Sequence, residues 1–139
     1  MIKVNKVIEE PKETPQITEA YRTGVFNIAS FISDGVYDGG NWGIKKLSNK
    51  GFYMFLKSDD KFVVHNKTTG ASAEVSSDLF SVIVNIYVSS HLSFWLVDHG
   101  YAELAGKVAD NYHLLRDFLY QDETPFSSEE VSDAYAILD

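Results

Sequence analysis

The segment from Tyr37 to Leu56 restricts the fold more than any other part of the chain, because it has the pattern of a β-hairpin with one buried face. Paired glycines at 39–40 open it, and glycine adopts positive φ angles at little steric cost. A strand-like stretch at 42–47 leads into Ser-Asn-Lys-Gly at 48–51, which is the composition of a tight hairpin turn. The aromatic and apolar run at 52–56 supplies the second strand. We therefore expect the other elements to pack on this hairpin.

Apolar residues at helical spacing predict one helix before the hairpin and a central one after it. The first runs from Pro15 to about Ser33, with Thr14 as its N-cap. The second covers 79–97 and follows N-cap candidates at 76–78. Because this segment is apolar on nearly every side, we expect it in the centre of the fold. Its many β-branched residues leave a strand as the alternative.

Two more helices are predicted in the last third of the chain. The first of them is marked by apolar residues at helical spacing, namely Leu104, Val108, Tyr112, Leu115 and Leu119. Thr124-Pro125 then ends that element. A short terminal helix begins at Ser127 or Ser128, and we expect three apolar residues to anchor it to the body: Val131, Tyr135 and Leu138.

Further strand patterns complete the predicted architecture. Residues 61–66 return as a third strand, residues 73–75 add a short fourth one as an alternative, and residues 2–8 form either an edge strand or a mobile arm. The predicted fold class is α+β, with a small antiparallel β-meander of three to four strands packed against a bundle of about four helices. Residues 1–14 are the N-terminal arm or edge strand, and residues 15–139 form a single domain.

Composition narrows the classes of protein to which this chain can belong. Its 139 residues are 45% hydrophobic, which is enough for one folded core, and they include no cysteine. That composition excludes a disulfide framework, a thiolate metal site and a cysteine nucleophile. The N-terminus lacks the apolar run of a secretory signal, and polar residues interrupt the apolar region at 79–97, which favours a buried helix over a membrane span. We expect a cytoplasmic protein with no membrane partner.

The net charge of −8 is unevenly distributed along the chain. Residues 1–97 contain ten acidic and ten basic side chains, whereas residues 98–139 contain ten acidic side chains against Lys107 and Arg116. The net charge therefore belongs to the C-terminal third, which argues against a surface that follows phosphates there. We expect weak binding to duplex DNA, and either a basic protein partner or a purely solubilising role for these acids.

Four groups of motifs carry a family resemblance. They are Tyr-x-Gly-Gly-x-Trp at 37–42 with Leu-Ser-Asn-x-Gly-Phe-Tyr-Met at 47–54, Glu-Val-Ser-Ser-Asp at 74–78 with Ser-His-Leu at 90–92, Tyr-His-Leu-Leu-Arg-Asp at 112–117, and the closing Ile-Leu-Asp. In this order, and over roughly residues 20–139, the chain resembles the ArdB/KlcA family of antirestriction proteins. It differs from that family at Ile44, where an aromatic residue is usual, and at Phe55-Leu56, where Ala-Pro is usual.

The resemblance implies a function that composition does not reveal. Proteins of this family are carried by plasmids and other mobile elements, and they protect incoming unmodified DNA from type I restriction systems. For this chain the implied partner is the host restriction–modification machinery, reached directly or indirectly, and the implied action is non-enzymatic. The alternative is an acidic protein-interaction module of a mobile element that acts on another host DNA-processing protein.

Histidine and aspartate are the candidates for catalysis. His113 and Asp117 are four residues apart on one helical face, where such a pair can act as a general base with its orienting carboxylate. The chain contains no Gly-x-Ser-x-Gly nucleophile elbow and no His-Glu-x-x-His zinc motif, and residues 38–41 are not a phosphate loop. We therefore predict no catalytic residue, no metal ligand and no cofactor, with a hydrolase based on this pair as a third alternative.

The aromatic residues of the hairpin can serve either the core or a binding patch. Aromatic side chains in a small sheet usually fill the core, so we expect Trp42 to be buried. The alternative is an exposed aromatic patch formed by Tyr37, Trp42 and Tyr53.

Six carboxylates near the C-terminus, which we name the acidic face, are the predicted partner-binding residues: Asp122, Glu123, Glu129, Glu130, Asp133 and Asp139. They surround the end of one predicted helix and the whole of the short last one, and they would attract a basic partner, mainly by raising the association rate. We favour this interpretation over full DNA mimicry, because a mimic needs carboxylates spread along a long surface. The remaining alternative is a solvated surface on which Glu129 and Glu130 only stabilise a helix start through its dipole.

Overall fold

In the computed structural model, which describes residues 1–9, 19–37 and 39–138, five strands and four helices follow one another. Their bounds are β1 (Val4–Ile8), α1 (Glu19–Ile32), β2 (Trp42–Leu47), β3 (Phe52–Leu56), β4 (Lys61–His65), β5 (Ser72–Ser76), α2 (Ser77–Asp98), α3 (Ala102–Tyr120) and α4 (Ser128–Leu138). The predicted fold class is confirmed. The strands are divided between two antiparallel sheets, β1-β2-β3 and β4-β5, instead of continuing as one meander.

The N-terminal residues provide an edge strand, because β1 pairs antiparallel with β2. The predicted start of the first helix at Thr14 and Pro15 lies outside the described residues, and so does the predicted division between residues 14 and 15. From Glu19 onward the predicted helix is present, with Tyr21, Val25 and Ile32 on its buried face.

The predicted hairpin is β2 and β3, joined in the register Trp42↔Leu56 to Lys46↔Phe52. In its turn, the Asn49 side-chain oxygen accepts a hydrogen bond from the Gly51 N–H at 2.9 Å. The residue with a positive φ angle is Lys50, at 76°, although neighbouring Asn49 and Gly51 adopt such angles more readily. The turn bonds from Lys50 N–H to the Leu47 carbonyl and from Leu47 N–H to the Gly51 carbonyl hold this geometry.

The outer edge of β3 is covered by side chains of two helices instead of by another strand. Asn85 of α2 donates to the Met54 carbonyl at 2.8 Å and accepts from the Met54 N–H at 3.0 Å. Asn111 of α3 makes the same pair of bonds with Phe52, at 3.1 and 2.9 Å. Each carboxamide therefore replaces the peptide group of a missing neighbouring strand.

Two serines of α2 complete this arrangement at the other end of β3. The Leu56 N–H donates to Ser81 Oγ at 2.9 Å, and Ser77 Oγ donates to the Leu56 carbonyl at 3.0 Å. Because unsatisfied backbone groups are costly when buried, these side chains let β3 end its sheet in the interior of the protein. The polar interruptions in the apolar helix therefore have a structural role, at positions 77, 81 and 85 on one helical stripe.

α2 is the central helix that the sequence predicts, and the strand alternative for it is wrong. It begins at the predicted cap, where Ser76 Oγ accepts from the Leu79 N–H at 3.2 Å. α1 crosses it closely at Gly24, since a Cβ atom there would lie 3.1 Å from Val88 Cγ1. Nearby, the Tyr21 hydroxyl donates to Asn85 Oδ1 at 2.7 Å, and burial raises the pKa of Tyr21.

The C-terminal end of α2 differs from the predicted all-round burial. Phe94, Trp95 and Val97 are 70%, 50% and 59% exposed, because the helix extends beyond the sheet that covers its first half. Among the described residues, α2 is the one helix that is both long enough and apolar enough to cross a membrane. However, 56% of its most apolar stretch is buried inside the protein. That is the placement of a core helix.

Candidate partner-binding face

α4 begins with a capping box, in which two residues satisfy each other's backbone. Ser127 Oγ accepts from the Glu130 N–H at 3.1 Å, and Glu130 Oε1 accepts from the Ser127 N–H at 3.3 Å. Glu130 Oε2 also accepts from the Ser76 hydroxyl at 3.1 Å. One carboxylate thus joins the start of α4 to the start of α2, and both of its oxygens bond within the protein.

The other residues of the acidic face are distributed over two places. Asp122 and Glu123 are exposed in the turn after α3, whereas Glu129 is exposed and Asp133 half-buried on α4. No ion pair involves these four carboxylates within the part of the chain that the structure describes. Asp139 lies outside the described residues.

Two of the three carboxylates of α4 share one flank of the helix, and the third, Glu130, lies on its buried side. At about 100° per residue, positions 129 and 133 fall on one flank, position 130 falls between buried Ala134 and Ile137, and Ser132 and Ala136 face outward. Glu129 and Asp133 are four residues apart and have the same charge, which is unfavourable for an isolated helix. A cationic group approaching this flank would relieve that repulsion.

Two of the three predicted anchors of α4, Val131 and Leu138, pack against the core, together with two residues that were not predicted. Ala134 and Ile137 are buried, and Val131 and Leu138 are partly buried, but Tyr135 is 59% exposed. The prediction for Tyr135 is wrong because its position points along the side of the helix, where its ring meets Tyr120 edge-on at 6.1 Å. The C-terminal end of α4 is fixed through a backbone group. The Ile137 carbonyl accepts hydrogen bonds from the Tyr87 hydroxyl and from the Asn66 side-chain amide.

The His113–Asp117 pair lies on the exposed face of α3. These two side chains, which both lie in the described part of the chain, are not joined by a hydrogen bond. Within residues 1–9, 19–37 and 39–138, no group of three or more metal-ligating side chains comes together. The intervening Arg116 lies over the rings of Tyr112 and Tyr120, with 5.6 and 5.2 Å from its guanidinium carbon to the ring centroids. The geometry thus presents no base held by an orienting carboxylate at this place.

The aromatic residues of the hairpin are core residues. Trp42 is 8% exposed and its indole N–H donates to the Tyr37 hydroxyl at 2.7 Å, which confirms the predicted burial. The alternative of an exposed patch is wrong, because Tyr37 and Tyr53 are buried as well. The Tyr53 hydroxyl donates to Asp78 Oδ1, which also bonds to Lys45 Nζ, each at 2.9 Å. Burial raises the pKa of Tyr53, and the charge of Asp78 raises it further.

Comparison with known proteins gives consistent results. Residues 35–137 match a family model described as antirestriction protein. Over 87 residues the chain is 31% identical to antirestriction protein KlcA of Escherichia coli, a match that covers 59% of this chain and 54% of that protein. The matched region therefore spans about half the length of this curated relative.

The fold is also similar to a solved structure. The likeness has a TM-score of 0.68 at 20% identity, and it covers 94% of this chain and 99% of the solved one. The solved structure is described as that of the KlcA and ArdB proteins, which show a novel fold and antirestriction activity against type I DNA restriction systems in vivo but not in vitro.

Proposed function

This chain belongs to the antirestriction protein family, and from that premise we propose that it protects incoming unmodified DNA from type I restriction inside the cell. The observation that carries the proposal is the match to the family model over residues 35–137, which includes the hairpin and the three helices after it. The similar fold over nearly the whole chain supports the same family. The protein acts in the cytoplasm, as a product of a mobile element, on the restriction–modification machinery of the host.

The proposed action is binding and not catalysis. The candidate base His113 is exposed beside an exposed Asp117, whereas most of the buried polar side chains bond to the backbone of β3 or to one another. The aromatic residues of the motif at 37–42 are likewise used in the core. The surface presents charge to a partner in this region, and most of the acidic face is solvent-accessible.

A basic partner surface fits the acidic face. Asp122, Glu123 and Glu129 are exposed, Asp133 is half-buried, and their charge adds to a chain of net −8. Charges of this kind accelerate encounter and exclude wrong partners more than they add affinity. Glu130 contributes to the local potential, but its two oxygens hold the helix starts together.

A second candidate function follows from the behaviour described for the relatives, whose activity is present in vivo but not in vitro. An inhibitor that needs another cellular component would behave in this way. The second candidate is therefore an acidic interaction module that acts on another host DNA-processing protein and lowers restriction indirectly.

Plating unmodified phage on restricting cells, with and without the protein, tests the function. We expect the plating efficiency to be higher with the protein than without it. If the two efficiencies are equal in each of several type I systems, the proposal is overturned. Adding the purified protein to a purified type I enzyme separates the two candidates. Inhibition there supports direct action, and protection seen only in cells supports the indirect one.

A further inference from the structure

Three adjoining hollows, each sharing lining residues with the next, lead from the end of α2 past α3 to the turn of the hairpin. The first, of about 240 Å³, lies between α1, α2 and α3 and has Trp95, Leu96 and Tyr101 in its wall. The second, of about 370 Å³, shares Tyr21 and Leu104 with the first. The third, of about 400 Å³, shares two residues of the hairpin with the second, namely Lys50 and Phe52. We name this feature the α3 groove.

One end of the α3 groove is apolar and open to solvent. Trp95, Tyr101 and Leu104 are 50%, 56% and 38% exposed. The Trp95 ring is stacked on His99 at 4.0 Å and lies nearly parallel to Tyr101 at 6.5 Å. Apolar side chains of this size, exposed side by side around a hollow, are typical of interaction sites on soluble proteins.

The other end of the α3 groove is basic. Lys6 of β1 is the register partner of Lys46 of β2, and like charges directly opposite each other destabilise a sheet. Both line the third hollow with Lys50, and Lys107 lines the second. Across the described part of the chain, none of these four lysines forms an ion pair. Asp110 also lines the second hollow, so four lysines stand against one carboxylate among the described residues that line these two hollows.

This distribution of charge selects the occupant. A nucleic acid carries a phosphate at every nucleotide and needs positive charge along its whole track. Among the residues that the structure describes, no cationic side chain lines the apolar end, and exposed Asp98 and Glu103 adjoin it in the sequence. A second copy of the chain is disfavoured at long range, because each copy has a net charge of −8.

We propose that the α3 groove binds a segment of a partner protein that has apolar or aromatic side chains at one end and carboxylates at the other. Its apolar side chains cover Trp95, Tyr101 and Leu104. Its carboxylates meet Lys50, Lys107 and the opposed pair Lys6 and Lys46. The surface has the opposite charge from the acidic face, so it goes beyond the proposed function by requiring a second, chemically different contact.

A titration of the isotope-labelled protein with synthetic peptides tests this proposal. The probe is a peptide of leucines followed by glutamates, and its counterpart has lysines in place of the glutamates. We expect the glutamate peptide to shift the amide resonances of Leu104 and Lys50 and to bind about tenfold more tightly than its counterpart, a difference that falls as salt rises. Of the two tryptophans, Trp42 is buried, so a shift of tryptophan emission to shorter wavelength reports the covering of Trp95.

Charge reversal provides the matched controls. The double variant Lys50→Glu with Lys107→Glu should lose about tenfold in affinity for the glutamate peptide. Lys61→Glu, which reverses one exposed charge at the start of β4 outside the groove, should not change it. Equal binding of both peptides, or the absence of resonance shifts in the groove, overturns the proposal. Lys6 would then serve only to prevent the edge strand from pairing with another chain. Tighter binding of single-stranded oligothymidylate, or a dimer in sedimentation that buries Trp95, also overturns the proposal. Failure of phage protection bears on the proposed function alone, since this titration does not depend on it.

Discussion

Among single residues, Asn85 connects separate elements from the middle of an apolar helix. It is fully buried, and its carboxamide bonds to both backbone groups of Met54 and to the hydroxyl of Tyr21. A buried carboxamide that satisfies a strand edge stabilises the fold mainly because its absence would leave those groups unpaired.

Replacement of Asn85 measures that dependence. Asn85→Ala should lower the free energy of unfolding by about 3–5 kcal/mol, because each of the two abandoned backbone groups costs about 1–3 kcal/mol and a small cavity adds to it. Urea denaturation gives the value, and Asn27→Ala on the exposed face of α1 is the matched control, with a change within about 0.5 kcal/mol. A loss below about 1 kcal/mol would mean that water or another group covers the edge of β3.

The same scale decides the role of Trp42. Its ring is buried against Tyr37 and lies 6.1 Å from Phe26, so Trp42→Ala should cost about 3–5 kcal/mol. Thermal melting gives the stability, and phage plating gives the function of the same variant. A variant that melts like the wild type but no longer protects phage DNA would place Trp42 in a binding site instead of the core.

At the scale of elements, α4 separates the structural from the functional use of carboxylates. Glu130 belongs to the capping box, so it stays unchanged in a test of the acidic face. We expect a folded protein with reduced phage protection when the acids outside the helix cap become amides, in one variant with Asp122→Asn, Glu123→Gln, Asp133→Asn and Asp139→Asn.

The matched control removes the same amount of charge elsewhere on the surface. Asp59, Asp60 and Glu74 are exposed on and beside β4 and β5, and Glu103 is exposed on α3. Their conversion to amides should leave protection unchanged. If the variant of the acidic face protects phage DNA as fully as this control, its carboxylates serve solubility and not a partner.

For the whole molecule, buried tyrosines set the response to alkaline pH. Burial raises the pKa values of Tyr21 and Tyr53 above the value of an exposed tyrosine. The folded state therefore holds these protons more tightly than the unfolded chain, and stability present below about pH 10 is lost as the pH rises above that value, by about 1.4 kcal/mol per pH unit for each tyrosine. Urea denaturation between about pH 8 and pH 11 should show the decline. Tyr53→Phe should make it shallower, and an unchanged slope would contradict the assignment.

The distribution of charge over the whole molecule also governs its behaviour toward DNA. The four lysines of the α3 groove are few, and the acidic C-terminal third has a net charge of −8. Binding to duplex DNA should therefore be weak at physiological ionic strength, with at most about four phosphates neutralised. A gel-shift series over salt concentration measures this, and tight binding with a steep salt dependence would contradict it.

Features that depend on neighbouring residues could be predicted from the sequence. The hairpin, the cap at Ser76 and the four helices follow from turn composition and apolar spacing, which act within a segment. The family motifs at 37–54 and 112–117 are also local. These signals therefore sufficed for the fold class and for the family.

Other features exist only after distant segments meet. The pairing of Lys6 with Lys46 depends on the register of β1, and the exposure of Trp95 depends on how far α2 extends past the sheet. The stripe of polar residues in α2 was visible as an interruption, but its use as the edge of β3 required the helix to lie beside that strand. A count of charges along the chain likewise adds together lysines and acids that the folded protein places on different surfaces. Tertiary structure decided these points because long-range packing, and not local preference, determines which surfaces face one another.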